Sequence, residues 1–393
     1  METVPAQNAL NRIIAEDLIS PVNLPPFDRA AMDGYAVIAE DTYGATTATP
    51  VFLRMVGNVQ MEMKPEINLG KGEAISIVTG GLMPQGADAV VMVEYTRLRE
   101  EGNVEICSEV HPAENVAHVG EDIQQGTVTL KKGTRILPQD LGILAALGLA
   151  EVAVIRKPRV AVLSTGSELV DQSSKSALKI ADVNRPVMMS ALQDLGCEPV
   201  DLGIVPDEFS LIRSRLEEGL RIADMVIVTA GTSVGPRDIV PKIIDSLGKP
   251  GMLVHGVAIR PSMPTGLAVI DGKVIVSLPG YPVSAYIAFL EFVRPLLSEL
   301  LETEFLPRPK VKARLSRRVA GVLGSRTYVR VRVAETRKGY VVYPVRTSGA
   351  GILSSLVQAN GFLIIPEQIE GYEEGHEVEV ELFRPVEHEE NGR

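Results

Sequence analysis

The spacing of apolar residues changes several times along this chain of 393 residues. From Ala6 to Ile19 apolar residues recur every three or four positions, which is the period of one helix face, and three prolines then end the run. From Tyr35 to about Asp122 the apolar residues form short β-prone runs separated by glycine and proline, namely Val51–Met55, Ala74–Val78 and Ala89–Glu94. The pattern predicts an N-terminal helix followed by a small β-rich region.

Helical spacing returns at Pro138–Leu149, which carries leucine and isoleucine on a broad apolar face. We expect this helix to pack against the N-terminal helix. The β-rich region is then an insertion in a discontinuous first domain. On this interpretation residues 1–25 and 125–155 form domain I, and residues 26–124 form domain II.

Residues 156–304 alternate short apolar strands with helices, which is the signature of βαβ units around a parallel sheet. The predicted strands are Val160–Leu163, Pro199–Ile204, Met225–Val228, Met252–Ile259 and Val274–Ser277. The predicted helices are Val187–Leu195, Phe209–Leu220, Ile239–Leu247 and Val283–Leu301. This segment is predicted to be an α/β domain III, with its functional loops at the carboxyl ends of the strands.

After Leu306 the pattern is β throughout and predicts a small barrel-like domain IV over residues 305–393. Its predicted strands are Thr327–Val333, Tyr340–Val345, Gly361–Ile365 and Glu377–Leu382. The fold class is therefore α/β and multidomain. It combines a discontinuous N-terminal domain with a β-rich insertion, a central parallel-sheet α/β domain and a C-terminal β-barrel-like domain.

Charge and composition limit the classes of protein to which the chain can belong. The formal net charge is −11, whereas a nucleic-acid-binding surface needs concentrated positive charge. No apolar run approaches the ~18 residues of a membrane span, and the N-terminal residues lack the features of a secretory signal. We therefore expect a cytoplasmic protein that binds neither nucleic acid nor membrane. An anionic substrate would need local cations, backbone N–H groups or Mg²⁺.

Glycine-containing turns follow the predicted strands at Leu163–Leu169, Thr229–Gly235 and Leu278–Ser284. Small residues let the backbone approach a ligand, and N–H groups at the start of a helix favour an anion. Each turn alone is also typical of an ordinary βα connection, but all three leave the carboxyl edge of one sheet. Together they indicate one anion-binding crevice, with binding residues Thr165, Gly231 and Ser233.

Acidic residues lie beside these turns, at Glu168, Asp207 and Asp238. A carboxylate in the first turn of a helix often serves only to stabilise the helix, and that alternative stays open for each residue. As metal ligands they would be hard oxygen donors suited to Mg²⁺ that is bound together with substrate phosphates. We take all three as candidate catalytic residues, and Glu168 and Asp238 as candidate Mg²⁺ ligands.

In the N-terminal half, the segment Pro26–Val37 is dense in Asp, Gly and aromatic residues and fits neither a helix nor a strand period. Loop residues of this kind are more often functional than core residues are. The residues alone thus predict an α/β enzyme that acts on a phosphorylated substrate with Mg²⁺.

Six segments, in order along nearly the whole chain, resemble the molybdopterin molybdenumtransferase family, which includes the enzymes called MoeA and the C-terminal domain of gephyrin. They are Phe27–Ala36, Val78–Val91, Gly120–Ile123, Ser164–Leu169, Gly231–Asp238 and Leu278–Ala285. The resemblance implies a four-domain protomer that forms a homodimer, with the site between the α/β domain of one subunit and the N-terminal region of its partner.

The resemblance also implies the reaction, in which adenylylated molybdopterin and molybdate give molybdenum cofactor and AMP with the help of Mg²⁺. Its motifs carry over functional residues to this chain. Asp33 joins Glu168, Asp207 and Asp238 as a catalytic candidate. The candidates for binding the substrate are Thr79, Asp122, Pro279, Pro282 and Ser348.

The chain departs from the family pattern at two places. A Lys-Pro-Gly-Lys-Pro motif is replaced by Arg260–Pro264, so that Arg260 keeps one cation for substrate binding and Met263 replaces the other. A basic residue expected shortly before Gly120 is also missing from Asn115–Val119. The choice between molybdate and tungstate stays open. So do the alternatives of a molybdopterin adenylyltransferase, a non-catalytic scaffold, and a separate adenylyltransferase as a docking partner.

Overall fold

The computed structural model describes residues 1–61, 65, 67–99, 102–171, 179–229, 239–346 and 349–388. The chain divides into two compact units, Met1–Val154 and Ile155–Arg393. Within the described residues no helix is both long and apolar enough to cross a membrane.

The first unit is mainly β. It contains the helix α1 (Pro138–Ala146) and short 3₁₀ helices at Ala6–Asn8, Ala39–Thr42 and Val93–Tyr95. Its strands are β1 (Glu2–Pro5), β2 (Leu18–Ile19), β3 (Arg29–Ala30), β4 (Gly34–Val37), β5 (Val51–Val59), β6 (Glu73–Ile77), β7 (Ala89–Met92), β8 (Thr96–Leu98), β9 (Asn103–Ile106), β10 (Val116–Ala117), β11 (Val128–Leu130) and β12 (Glu151–Val154).

The two ends of the first unit share one core. Strand β1 pairs with β12 and β2 pairs with β11, in both cases antiparallel. The buried core residues come from both ends as well, and are Ala9, Ile14, Ile136, Leu144, Val152 and Val154. The predicted discontinuous N-terminal domain is confirmed, and so is the helix predicted from Pro138, which ends at Ala146.

The helix predicted over Ala6–Ile19 is wrong. The chain forms one 3₁₀ turn, and Asn11 then takes a positive φ of 63°. Ile13 and Ile14 instead form antiparallel bridges to Arg135 and Val154. The apolar spacing in this segment therefore reflected burial, and pairing with a distant strand overrode the local helical period.

The β-rich insertion is a sheet in the order β7-β4-β6-β5-β9-β8. Its strands carry buried residues on both sides, such as Tyr35 and Val37 in one core and Ala36 and Ile75 in another. The predicted strands at Val51, Ala74 and Ala89 all lie in this sheet, so the predicted β-rich insertion is confirmed.

The second unit begins with the α/β segment. Its strands are β13 (Arg159–Thr165), β14 (Leu169–Val170), β15 (Ile180–Ala181), β16 (Glu198–Val205), β17 (Met225–Thr229), β18 (Pro250–His255), β19 (Ile259–Arg260), β20 (Gly266–Ile270) and β21 (Lys273–Leu278). Its helices are α2 (Asn184–Asp194), α3 (Phe209–Ile222), α4 (Val240–Asp245), α5 (Pro282–Ala288), a π-helical segment (Phe289–Val293) and α6 (Arg294–Leu300).

The α/β sheet has the order β16-β13-β17-β21-β20-β18. Strands β16, β13, β17 and β21 run parallel, as predicted, whereas β20 and β18 add an antiparallel edge. Strand β20 was not predicted. The predicted strand Met252–Ile259 is divided, and its last residue belongs to β19, which pairs with a strand of the C-terminal sheet.

The C-terminal part is a small barrel. Strands β24, β25, β22, β28 and β26 pair in that order, and β26 pairs back to β24 to close the ring. The elements are β22 (Lys310–Leu315), β23 (Val319–Ala320), β24 (Arg326–Thr336), β25 (Gly339–Arg346), α7 (Ser354–Gln358), β26 (Gly361–Ile365), β27 (Gly371–Tyr372), β28 (Glu377–Leu382) and β29 (Glu387–His388). The predicted barrel is confirmed.

Candidate active site

In the first unit the structure places Asp33 beside Thr79. Asp33 immediately precedes β4, and Thr79 follows β6 by two residues. Because β4 and β6 are antiparallel, with Gly34 opposite Ile77, the start of one strand lies next to the end of the other. The Asp33 Oδ1 atom accepts hydrogen bonds from the Thr79 backbone N–H at 2.6 Å and from the Thr79 hydroxyl at 2.7 Å.

This contact fixes the charge of Asp33. The backbone N–H of Thr79 and then its hydroxyl stabilise the carboxylate, which lowers the pKa of Asp33 below its usual range. Its second oxygen, Oδ2, accepts no hydrogen bond from the described residues and faces solvent. Asp33 therefore presents a negative oxygen in a fixed position at the end of the sheet.

We expect Thr79→Val to raise the pKa of Asp33 partway towards its ordinary value. The hydroxyl donor is removed, but the backbone donor remains. The lowered pKa favours folding above the unfolded-state pKa, and this contribution is lost as pH falls through the folded-state pKa. An NMR titration of the Asp33 side-chain carbon measures the change, with Thr46→Val as a control on the same unit. An unchanged titration in Thr79→Val would refute the hydroxyl's part in the interaction.

The loop before Asp33 is held between the second motif and the residues that lead into the third. Ala30 exchanges backbone hydrogen bonds with Gly80 and Gly81, and Ala31 N–H donates to Asn115 O. Asp28 Oδ1 accepts from Val119 N–H at 2.7 Å. The first motif therefore contacts the second motif and the segment directly before the third.

Asp122 lies in the same part of the first unit. Its backbone N–H donates to Leu24 O at 3.0 Å, and the neighbouring Gly120 N–H donates to Pro25 O at 2.9 Å. The Asp122 carboxylate is exposed and has no hydrogen bond or ion pair with any residue that the structure describes. It is available to a ligand, a cation or a partner.

In the second unit, polar side chains collect where the parallel strands end. The hydroxyls of Ser164 and Thr229, in the neighbouring strands β13 and β17, lie 3.0 Å apart. Thr165 Oγ1 and Ser277 Oγ are buried, and neither forms a hydrogen bond within the described chain. Buried hydroxyls normally have partners, so these two atoms can still accept and donate hydrogen bonds at the edge where α/β proteins bind their ligands.

The first two loops of the α/β sheet are joined beside this edge. Gly166 N–H donates to Val205 O at 3.0 Å. The Ser167 hydroxyl accepts from Asp207 N–H at 3.2 Å, and Asp207 Oδ2 lies 3.4 Å from Ser167 N. Glu168 follows directly and is exposed. The structure thus places Thr165, Glu168 and Asp207 on two neighbouring strand ends and the loops that follow them.

A polar side chain at the start of α2, Asn184, was not predicted from the sequence. Asn184 Nδ2 donates to Gly280 O at 2.8 Å, which ties α2 to the loop that contains Pro279 and Pro282. Asn184 Oδ1 is buried and has no hydrogen-bond partner among the described residues. An available signal was the pair Asp182 and Asn184 shortly before Pro186, since Asp and Asn there are typical of the start of a helix.

Arg260 occupies the edge of the barrel sheet, where Ile259–Arg260 pairs with Arg326–Thr327. Its side chain is exposed. The turn that follows is tied to the Leu278–Ala285 motif, because the buried Ser262 hydroxyl donates to Ser284 O at 2.7 Å. Arg260 is thereby connected through its own loop to the carboxyl edge of the α/β sheet.

Four predicted site residues, Gly231, Ser233, Asp238 and Ser348, lie outside the described residues. Among the residues that are described, no group of three or more His, Cys, Asp or Glu side chains could hold a metal ion. Glu168 and Asp207 nevertheless supply two carboxylates on joined loops. This donor set suits Mg²⁺, which takes one or two carboxylates together with substrate phosphates.

The two units present different chemical groups. The first unit presents exposed carboxylates on a rigid sheet. The second presents glycine-rich turns, unpartnered hydroxyls and carboxylates at a parallel-sheet edge, which is where α/β proteins bind their ligands. The second arrangement is suited to holding phosphates through backbone N–H groups.

Comparison with known proteins gives matches along the whole chain. Residues 1–148 match the model of the MoeA N-terminal region (domains I and II). Residues 161–299 match a model described as a probable molybdopterin-binding domain, and residues 312–383 match the MoeA C-terminal region (domain IV).

Individual proteins agree with these models. The chain is 33% identical to a molybdopterin molybdenumtransferase of Haemophilus influenzae, over 97% of this chain and 94% of the relative. It is 34% identical to one of Bacillus subtilis, over 100% and 91%. A crystal structure of a molybdopterin biosynthesis MoeA protein from Pyrococcus horikoshii has a TM-score of 0.84 and 38% identity, covering 98% and 94% of the two chains.

Proposed function

This chain belongs to the molybdopterin molybdenumtransferase (MoeA) family, and we propose that it inserts molybdate into adenylylated molybdopterin with release of AMP. It is a transferase with a role in molybdenum cofactor biosynthesis.

One observation in the structure supports this reaction most directly. Buried hydroxyls of Thr165 and Ser277 lack hydrogen-bond partners among the described residues, and they lie at the edge that also carries Glu168 and Asp207. Different oxygen atoms of the substrate's phosphate groups would supply partners to the two hydroxyls, because their strands β13 and β21 are separated by β17. The adjoining carboxylates would repel these phosphates unless a cation lay between them, which is the reason to include Mg²⁺.

Each polar group at this edge has a proposed role in binding or catalysis. Thr165, Ser277 and the backbone N–H groups of the glycine turns bind phosphate oxygens. Glu168, with Asp207 beside it and Asp238 further along the chain, would hold Mg²⁺, which when bound offsets negative charge on the leaving phosphate. Arg260 contacts the oxyanion, because a guanidinium stays charged and is shaped for two-point contact with oxygen atoms.

We also propose that the active species is a homodimer. Asp33, held rigidly by Thr79, is then supplied to the α/β crevice of the partner subunit. An exposed carboxylate on a fixed strand end can serve a site on a second copy without any rearrangement of its own chain. Asp122, whose carboxylate has no partner among the described residues, is assigned to the same side of the site.

A single reaction mixture tests the function. The whole chain is incubated with adenylylated molybdopterin, Mg²⁺ and either molybdate or tungstate, and the pterin product and AMP are measured by mass spectrometry. We expect a metal-loaded pterin and an equal amount of AMP. Consumption of ATP with unmodified molybdopterin would instead indicate an adenylyltransferase. Pterin binding with no AMP would indicate a scaffold, and metal loading with tungstate alone would indicate a tungsten-specific enzyme.

We expect Asp33→Asn to slow AMP release by at least about tenfold, or about 1.4 kcal/mol of transition-state stabilisation, because it removes the charge and keeps the shape. Glu16→Gln is a matched control, since Glu16 is an exposed carboxylate of the same unit. A full rate in Asp33→Asn would contradict the assignment.

A mixture of two variants tests whether each site is built from residues of both subunits. Asp33→Asn and Glu168→Gln chains are each expected to be slow, but mixing them forms dimers in which one site has both native residues. An equal mixture should recover about a quarter of the normal rate if subunits exchange at random. No recovery, with mixed dimers demonstrated by mass spectrometry, would place both residues in a site on one chain.

A further inference from the structure

A groove in the second unit lies away from the strand ends described above. It runs along the C-terminal half of α2 and the start of α6, and is closed by the segments Leu306–Pro309 and Leu382–Pro385. Its volume is about 690 Å³, within the range of sites that bind small molecules. The groove is therefore large enough for a ligand of two fused rings with a charged group.

The floor of the groove is apolar. It is formed by side chains of the helices and of the two closing segments, among them Leu195, Tyr286, Phe289, Leu290, Leu306 and Phe383. Leu306 at its rim is 86% exposed. An apolar surface of this kind, concave and open to solvent, favours a ligand with a flat hydrophobic body.

Arginine side chains line the same groove, at positions 294, 308 and 384. Within the described chain, no carboxylate forms an ion pair with any of the three, although Asp194 lies in the lining and Glu381 is close enough to favour the charge of Arg294. Arg294 Nη2 donates to Leu306 O at 2.8 Å, and Arg384 Nη1 donates to Val357 O at 2.7 Å. Arg294 and Arg308 also lie over the rings of Phe305 and Phe362. In a chain with a net charge of −11, the three guanidinium groups thus have no ion-pair partner among the described residues.

The positive charges of Arg294 and Arg308 also repel each other. Burial, and next the charge of Arg308, lower the pKa of Arg294 from its ordinary value. Two guanidinium groups in this position are stabilised when an anion lies between them, because the anion offsets both the burial and the repulsion. The groove thus combines an apolar floor with a place for one negative group.

We propose that the groove binds a small aromatic phosphate monoester, with its ring system on the apolar floor and its phosphate between Arg294 and Arg308. The site lies at the C-terminal end of α2, whereas the proposed catalytic edge adjoins its N-terminal end at Asn184. The proposal does not depend on the transferase reaction.

Isothermal titration of the whole chain with 1-naphthyl phosphate tests the proposal, with inorganic phosphate and 1-naphthol as partial ligands. We expect 1-naphthyl phosphate to bind more tightly than either partial ligand. Arg308→Gln should weaken its binding about tenfold, as expected for the loss of one charged contact to phosphate. Arg318→Gln is the matched control, since Arg318 is an exposed arginine paired with Glu373 in the same unit.

Two further variants, at exposed positions, distinguish weaker binding from a folding defect. Arg384 and Leu306 are exposed, so Arg384→Gln and Leu306→Ser should leave the fold intact. The first should weaken 1-naphthyl phosphate and inorganic phosphate alike, and the second should weaken only 1-naphthyl phosphate. Equal affinity of the Arg308→Gln and Arg318→Gln proteins would overturn the proposal. So would binding of 1-naphthol or inorganic phosphate as tight as that of the ester.

Discussion

Replacing Gly34 with alanine is expected to destabilise the first unit by about 3 kcal/mol, because the strand has no room for a side chain at this position. A Cβ atom built on Gly34 would lie 1.9 Å from Val91 O and 2.9 Å from the Val91 carbonyl carbon. Both are backbone atoms of β7, which pairs with β4. Relief of the overlap requires the two strands to separate, and Asp33 lies at the end of that pair.

Hydrogen exchange of the first unit in increasing urea measures this effect, because it reports the opening of these strands separately from the second unit. Gly142→Ala is the control. Gly142 lies within α1, and an added Cβ there would meet no atom within 4 Å. That change should stabilise the unit by roughly 0.5–1 kcal/mol, since alanine is a better helix former than glycine. A Gly34→Ala protein as stable as the original would show that β4 and β7 can adjust.

Most of the fold could be predicted from the sequence because its elements follow local patterns. The strands around Val160, Met225 and Val274 and the helix at Phe209 are short apolar or amphipathic runs, and their period alone identifies them. In the six-stranded α/β sheet, the strand Gly266–Ile270 was not predicted although a signal was present. Asp271-Gly272 separates two apolar runs, and both residues take positive φ in a tight hairpin turn.

The N-terminal segment could not be predicted in the same way. Its hydrogen-bond partners lie more than a hundred residues away, such as Ile136 O for Asn11 N–H. Local spacing identifies which of its residues are buried but not which distant segment pairs with them. The two ends of a discontinuous domain are thus the part of this fold least accessible to pattern analysis.

In the candidate site too, features set by local sequence could be predicted, and features set by distant pairing could not. The glycine turns of the α/β segment could be placed from the sequence, because the carboxyl ends of parallel strands share one edge. The contact between Asp33 and Thr79 joins residues 46 positions apart. It depends on which strands are neighbours, and the family resemblance supplied the two residues but not their contact. The contact of Asn184 was not predicted because its partner is a backbone carbonyl, Gly280 O, which no pattern of side chains reveals.

The pair of Arg185 and Asp182 at the start of α2 is expected to stabilise the second unit. Arg185 lies next to Asp182, Asp171 and Asp201, and its own side chain is only 13% exposed. Asp182 is almost fully buried, with its Oδ2 atom 3.3 Å from Arg185 Nε. Asp182 Oδ1 accepts hydrogen bonds from the backbone N–H groups of Asn184 and Arg185 and so holds the first turn of the helix.

Arg185→Met should therefore cost about 3–5 kcal/mol of stability in the second unit, because it leaves the Asp182 carboxylate buried without its cation. Arg213→Met is the matched control. Arg213 pairs with Glu217 on the surface of α3, where both side chains are at least 40% exposed, and a pair of that kind contributes about 0.3–0.5 kcal/mol. Denaturant unfolding of the two proteins, monitored by hydrogen exchange in the second unit, gives the comparison.

A second substitution separates charge from packing. In the Arg185→Met background, Asp182→Asn removes the unpaired charge but keeps an oxygen for the two backbone donors. If the buried charge is the cause, the double variant should be more stable than Arg185→Met alone, which is a coupling that a double-mutant cycle measures directly. If the double variant is less stable, the loss in Arg185→Met comes from the missing contacts of the arginine with Asp171 and Asp201. The start of α2, and with it the Asn184 contact to Gly280, would then depend on those surface carboxylates.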